Sequence, residues 1–172
     1  MNEAMNNLLT RRSIRKYSEE RIPDEVLDQI LEAGLYAPTG MNRQNIIMVA
    51  VQDKETRDLL SRLNAAVMGS DRDPFYGAPC VVVVLGDAEI YPVVENGSLV
   101  LGNLMNAAHA VGLGSCWIHR AKQVFDSEEG KALLEKWGLP RHLTGIGNCI
   151  LGYPEESPEP KPRLEGRIVK IG

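Results

Sequence analysis

Arg11, Arg12, Ser13 and Arg15 lie together in the run TRRSIRKYS, near the start of a chain that is otherwise acidic. Guanidinium groups beside a hydroxyl suit a phosphate, because charge-assisted N–H···O bonds can be bidentate and rank among the strongest polar contacts. Read alone, the same run is an ordinary solvated basic turn. Further polar residues gather at the ends of apolar segments: Pro38, Thr39, Gly40, Asn42 and Gln44 in PTGMNRQ, and Lys161 with Arg163 in a proline-rich tail. Ile118-His119-Arg120 closes the apolar run GSCWI.

Other chemistries lack their residues. The GxG of Gly112-Leu113-Gly114 follows a helical pattern and opens an extended one, the reverse of a dinucleotide fingerprint. There is no GxxxxGK[ST] phosphate loop and no GxSxG elbow. His109, His119 and His142 show no metal-ligand spacing with Cys80, Cys116 and Cys149, so no metal is expected. His109 falls inside a helical pattern and reads as a core histidine. The three cysteines, each within an apolar segment, read as small core residues of a reducing compartment. No side chain pairs as nucleophile and base.

The elements that must position these clusters follow from periodicity. A length of 172 residues suits one domain over 1–172 with one substantial core. A net charge of −4 argues against nucleic acid as the main partner. No apolar run reaches membrane-spanning length, and residues 1–9 are too polar for a signal peptide, so a cytoplasmic location is expected.

Residues 2–9 read as a helix that stops before the arginines. Pro23-Asp24-Glu25 opens a second, with Val26, Leu27, Ile30, Leu31 and Leu35 on its buried face. An apolar strand over 46–51 follows, then a helix from Asp53 to about Met68. The run CVVVVL over 80–85 predicts a central strand covered on both faces. Phe75 and Tyr76 before it either line a pocket or anchor their loop. Residues 95–111 form the longest helical pattern, small or apolar nearly all round, which implies that a second subunit covers part of it. Gly112 ends it, 114–118 is a strand, Ser127 caps a helix reaching Trp137, and 144–151 is the last strand. Beyond it, an arm over about 153–172 carries prolines that forbid helix and ladder. The pattern is α+β, a three-layer arrangement of sheet and helices.

In this order, RRSIRKY, APTGMNRQN, GLGSCWI and IGNCILGYPEESPEPKPR resemble the FMN-dependent nitroreductase family over nearly the whole chain. The resemblance implies a central, mostly antiparallel sheet flanked by helices in an intertwined homodimer, with FMN at the interface. It implies that Arg11, Arg12, Ser13 and Arg15 hold FMN, Arg11 near the phosphate and Arg15 near the N1/O2 edge, where a cation stabilises the charge that reduction brings. Lys161 and Arg163 match the family's KxR and complete the phosphate site. Pro38, Thr39, Gly40, Asn42 and Gln44 match a loop reaching the flavin from the other subunit. The backbone of Ile118, His119 and Arg120 stands beside N5. Two features depart from the family: Gln44 is followed by Asn45-Ile46 where Pro-aromatic is common, and a long pocket-shaping insertion is missing.

The activity so implied is ping-pong hydride transfer from NADH or NADPH, through FMN, to a nitroaromatic, quinone or similar small acceptor. Reductive dehalogenation and flavin cleavage occur on the same fold. A flavin-binding or sensing module with little turnover is the alternative from another class.

Overall fold

The computed structural model describes residues 2–172, and one four-stranded sheet organises them. Its strands β1 (Ile46–Val51), β2 (Cys80–Asp87), β3 (Gly114–Ile118) and β4 (Leu143–Gly152) lie in the order β1-β2-β4-β3, every neighbouring pair antiparallel. The run from Cys80 to Leu85 is 0% exposed, as its unbroken apolar character predicts. Each such side chain contributes roughly 1.5–3 kcal/mol on burial, which fixes β2 in the middle.

Alternation along β2 splits the core. Val81, Val83 and Leu85 face helices α3 (Lys54–Met68), α5 (Ala121–Asp126) and α6 (Glu128–Lys136). Cys80, Val82 and Val84 face α2 (Asp24–Leu35) and α4 (Val93–Ala110). The result is three layers, helices on both faces of the sheet. A short α1 (Glu3–Thr10) lies against α4, tied by the Asn7 side-chain amide donating to the Asn106 carbonyl at 2.9 Å. Caps set the helix ends: Asp53 accepts from the Thr56 N–H at 2.9 Å, and Ser127 from the Gly130 N–H at 3.1 Å. Gly112 and Gly138, at φ +82° and +70°, end α4 and α6.

Three details differ from the sequence reading. Helix α5 was not expected; it starts directly after Arg120 without a side-chain cap, and six residues are too few to show a period. Leu35 is 68% exposed, because in the last turn of α2 it is Gly34, against Met48 and Leu104, that faces the core. Pro154 does take part in a bridge, opposite Tyr17. Its neighbours carry the bonds, Ser18 N–H to the Tyr153 carbonyl and Glu155 N–H to the Lys16 carbonyl, both at 3.0 Å, so its missing N–H costs nothing. Beyond Pro158 every residue of the arm is exposed.

Candidate active site

The arginine run leaves α1 in extended conformation and lies across the start of β3. The Ile14 N–H donates to the Ser115 carbonyl at 3.0 Å, and the buried Tyr17 hydroxyl donates to the Ile14 carbonyl at 2.6 Å. Gly114 makes this approach possible, since a Cβ there would sit 2.9 Å from the Ile14 side chain. Burial pushes the Tyr17 phenol well above its usual range, so it serves as a fixed donor.

A notch of about 300 Å³ opens beside this crossing, with Arg11, Arg12, His109, Ser115 and Glu156 among its walls. Arg12 Nη1 donates to the carbonyls of Leu9 and Arg11, at 2.9 and 2.7 Å, and so ties off the end of α1. Arg12 Nε and Arg11 Nη1 are buried and have no partner. Leaving charged donors buried and unpaired is costly, and an anion held between them removes the cost. A phosphate therefore fits these residues. His109 is a wall of the notch and not a core residue; its Nε2 lies 2.9 Å from the Thr10 hydroxyl. Burial, then the neighbouring Arg11 and Arg12, hold its pKa below the ordinary value. Ser13 bridges to Ser115 beside the notch. Arg15 is exposed, its guanidinium 6.0 Å from the ring centre of Tyr76, while its N–H donates to Glu156. Phe75, 1% exposed, anchors the intervening loop.

Residues 38–44 form a second cluster, at the start of β1. Met41, Asn42 and Gln44 all have left-handed backbones, with φ of +56°, +54° and +50°. The Gly40 N–H donates to Asn96 Oδ1 at 2.9 Å, and Asn96 Nδ2 donates to Asn45 Oδ1 at 3.0 Å. Asn96 is 2% exposed and anchors the loop to α4. Gln44 donates its N–H to Thr39 Oγ1 and its side-chain amide to Asn42. Pro38 is exposed at the loop's entry.

Register shows that these two clusters lie at opposite ends of the sheet. Ile46 is opposite Gly86, whereas Cys80 is opposite Leu151 and Gly114 opposite Gly152. The length of β2 between them corresponds to roughly 20 Å. Ile118, His119 and Arg120 stand at the far end of β3, opposite Asn148, with Ile118 buried and the other two reaching solvent. Lys161 and Arg163 are exposed on the arm and are not brought to the notch within the chain. Sequence reading did not single out the buried amides Asn64 (in α3), Asn96 and Asn148, and it took His109 for a core histidine. The first three had one signal, an amide at a position where the pattern asks for a core residue.

The site is a notch at one end of a three-layer antiparallel α+β sandwich, walled by Arg11, Arg12, His109 and Glu156 and holding two unpartnered guanidinium nitrogens. Residues 8–74 match the model of the nitroreductase family. An Archaeoglobus fulgidus protein assigned as an NADH dehydrogenase/NAD(P)H nitroreductase is 33% identical over 162 residues, 91% of this chain and 88% of that one. The chain belongs to the nitroreductase family. A Bacillus subtilis FMN reductase [NAD(P)H] is 29% identical over 98% of this chain and 73% of its own. A Bacteroides fragilis nitroreductase solved with bound FMN superposes with a TM-score of 0.92 at 28% identity, covering 100% of both chains.

Proposed function

We propose that this protein is an FMN-dependent NAD(P)H oxidoreductase, a single-domain homodimer that reduces nitroaromatics, quinones or similar small acceptors in ping-pong order. The observation that carries the reading is the pair of buried, unpartnered guanidinium nitrogens of Arg11 and Arg12. FMN, when bound, supplies a hydride relay between donor and acceptor through its N5 atom. Arg11, Arg12 and Ser13 would hold its phosphate, with Lys161 and Arg163 closing over it from the arm. Arg15 would keep a cation at the flavin's N1/O2 edge. The backbone of Ile118, His119 and Arg120 would border the reacting edge. No acid, base or nucleophile is required of the chain.

The dimer is supported by two observations. Residues 38–44 lie too far from the notch to serve it in the same chain, so Pro38, Thr39, Gly40, Asn42 and Gln44 would reach the site of the partner. The arm also exposes Leu164, Ile168, Val169 and Ile171 at 79–91%, apolar surface that a second subunit would cover. Among the described residues no helix is long and apolar enough to cross a membrane. The free, buried thiols of Cys80, Cys116 and Cys149 suit a cytoplasmic setting.

The test is an absorption spectrum of the purified protein, with FMN added if none copurifies, followed by anaerobic NADH and NADPH. Flavin bands that bleach on donor and return on a nitroaromatic or quinone are expected. Bands that never bleach would point to a binding or sensing module, and failure to take up FMN would overturn the reading.

A further inference from the structure

Residues 118–121 form a turn fixed from outside by two buried amides. Arg120 has a left-handed backbone at φ +75°, an uncommon state for a residue with a side chain. Three contacts, from two elements, hold the backbone around it. From α3, Asn64, which is 0% exposed, donates its side-chain amide to the His119 carbonyl at 2.8 Å. From β4, Asn148, which is 2% exposed, donates to the Ile118 carbonyl at 3.4 Å. Also from β4, Gly145 lets the turn sit directly on the sheet, since a Cβ there would meet the Ala121 carbonyl oxygen at 2.3 Å. Gly145 sits at a register shift, where Val84 and Leu85 pair with Gly147 and Gly145 and leave Ile146 over.

Asn64 satisfies only half of itself in doing this. Its Oδ1 is buried and has no protein partner. An apolar side chain of the same size would fill the space between α3 and the turn without that cost. The His119 carbonyl bond is what the amide contributes. The side chains of His119 and Arg120 meanwhile reach solvent, so the fold fixes the backbone and leaves the outer face open.

We infer that Asn64 is a positioning residue for hydride transfer: its amide, with Asn148, holds the 118–120 backbone at the geometry the flavin's reacting edge requires. The inference rests on the FMN reading above. Displacing such a backbone by about an ångström costs up to roughly a hundredfold in rate, while the phosphate end, near the start of β3, keeps its grip.

The experiment compares wild type, Asn64→Leu and Asn64→Asp, each loaded with FMN. Three quantities are measured: the FMN dissociation constant, the visible fine structure of the flavin bands, and the anaerobic bleaching rate at saturating NADH. Asn64→Leu is expected to bind FMN within about threefold of wild type, to show altered fine structure and to bleach about tenfold or more slowly. Asn64→Asp supplies an internal control. Its protonated carboxyl can donate to the His119 carbonyl and its carboxylate cannot, so its bleaching rate relative to wild type falls as pH rises. If Asn64→Leu does not fold, this pH profile decides. An unaltered rate in Asn64→Leu, or a profile for Asn64→Asp parallel to wild type, overturns the inference. Rate and FMN affinity that drop together with the folded fraction also overturn it. A wild-type protein that takes up no FMN overturns the underlying reading; a wild-type protein that bleaches beside an equally fast Asn64→Leu overturns the positioning role alone.

Discussion

Arg11 contributes nothing to the stability of the ligand-free protein through its buried Nη1, since no carbonyl or carboxylate receives it. A side chain kept for a ligand separates binding from folding when it is removed. Arg11→Met keeps most of the apolar stem and removes the charge. Each hydrogen bond lost to a charged group is worth about 1.5–3 kcal/mol, so the FMN dissociation constant should rise about 10- to 100-fold in a fluorescence titration. The melting temperature of the ligand-free protein should hold or rise, because a desolvated charge has gone. A marked fall in melting temperature would assign Arg11 to the scaffold.

The loop between α3 and β2 shows what an element spends on its own shape. Asp73 accepts from Ser61, from Arg57 Nη2 at 2.7 Å, and from the N–H groups of Phe75 and Gly77. Burial alone would raise its pKa, yet these donors hold it below the ordinary value. Asp73→Ala should cost about 2 kcal/mol, toward the low end of the range for so many bonds because the carboxylate is 36% exposed. The melting temperature should then drop by roughly 4–8 °C at neutral pH. Four strands and five of the six helices were legible in the sequence because each spans enough residues to show a period or carries a cap. Helix α5 has neither. The arginine run and the 38–44 loop stood out in the sequence as polar clusters at segment ends, and their part in a site came from the resemblance. Asn64, Asn96 and Asn148 were not, since each bonds a backbone group 55, 56 or 30 residues away, and chain order holds no trace of that pairing.

Across the whole molecule, the notch and the Gly40 loop lie at opposite sheet ends, and the proposed function gives each a part in the same site. In a twofold dimer each site then draws its notch from one protomer and its loop from the other. A test of assembly follows that needs no structure of the complex. Arg11→Met spoils a notch; Gly40→Val spoils a loop, since even a Cβ at Gly40 would meet Pro92 at 2.7 Å. The two chains, each silent alone when FMN is held well below the raised dissociation constant of Arg11→Met, are then co-expressed. In every mixed dimer both lesions fall into one site and the other site is built wholly from intact parts. Turnover should reappear in the mixture, an intersubunit complementation. Sites contained within single chains would stay silent however the two were combined.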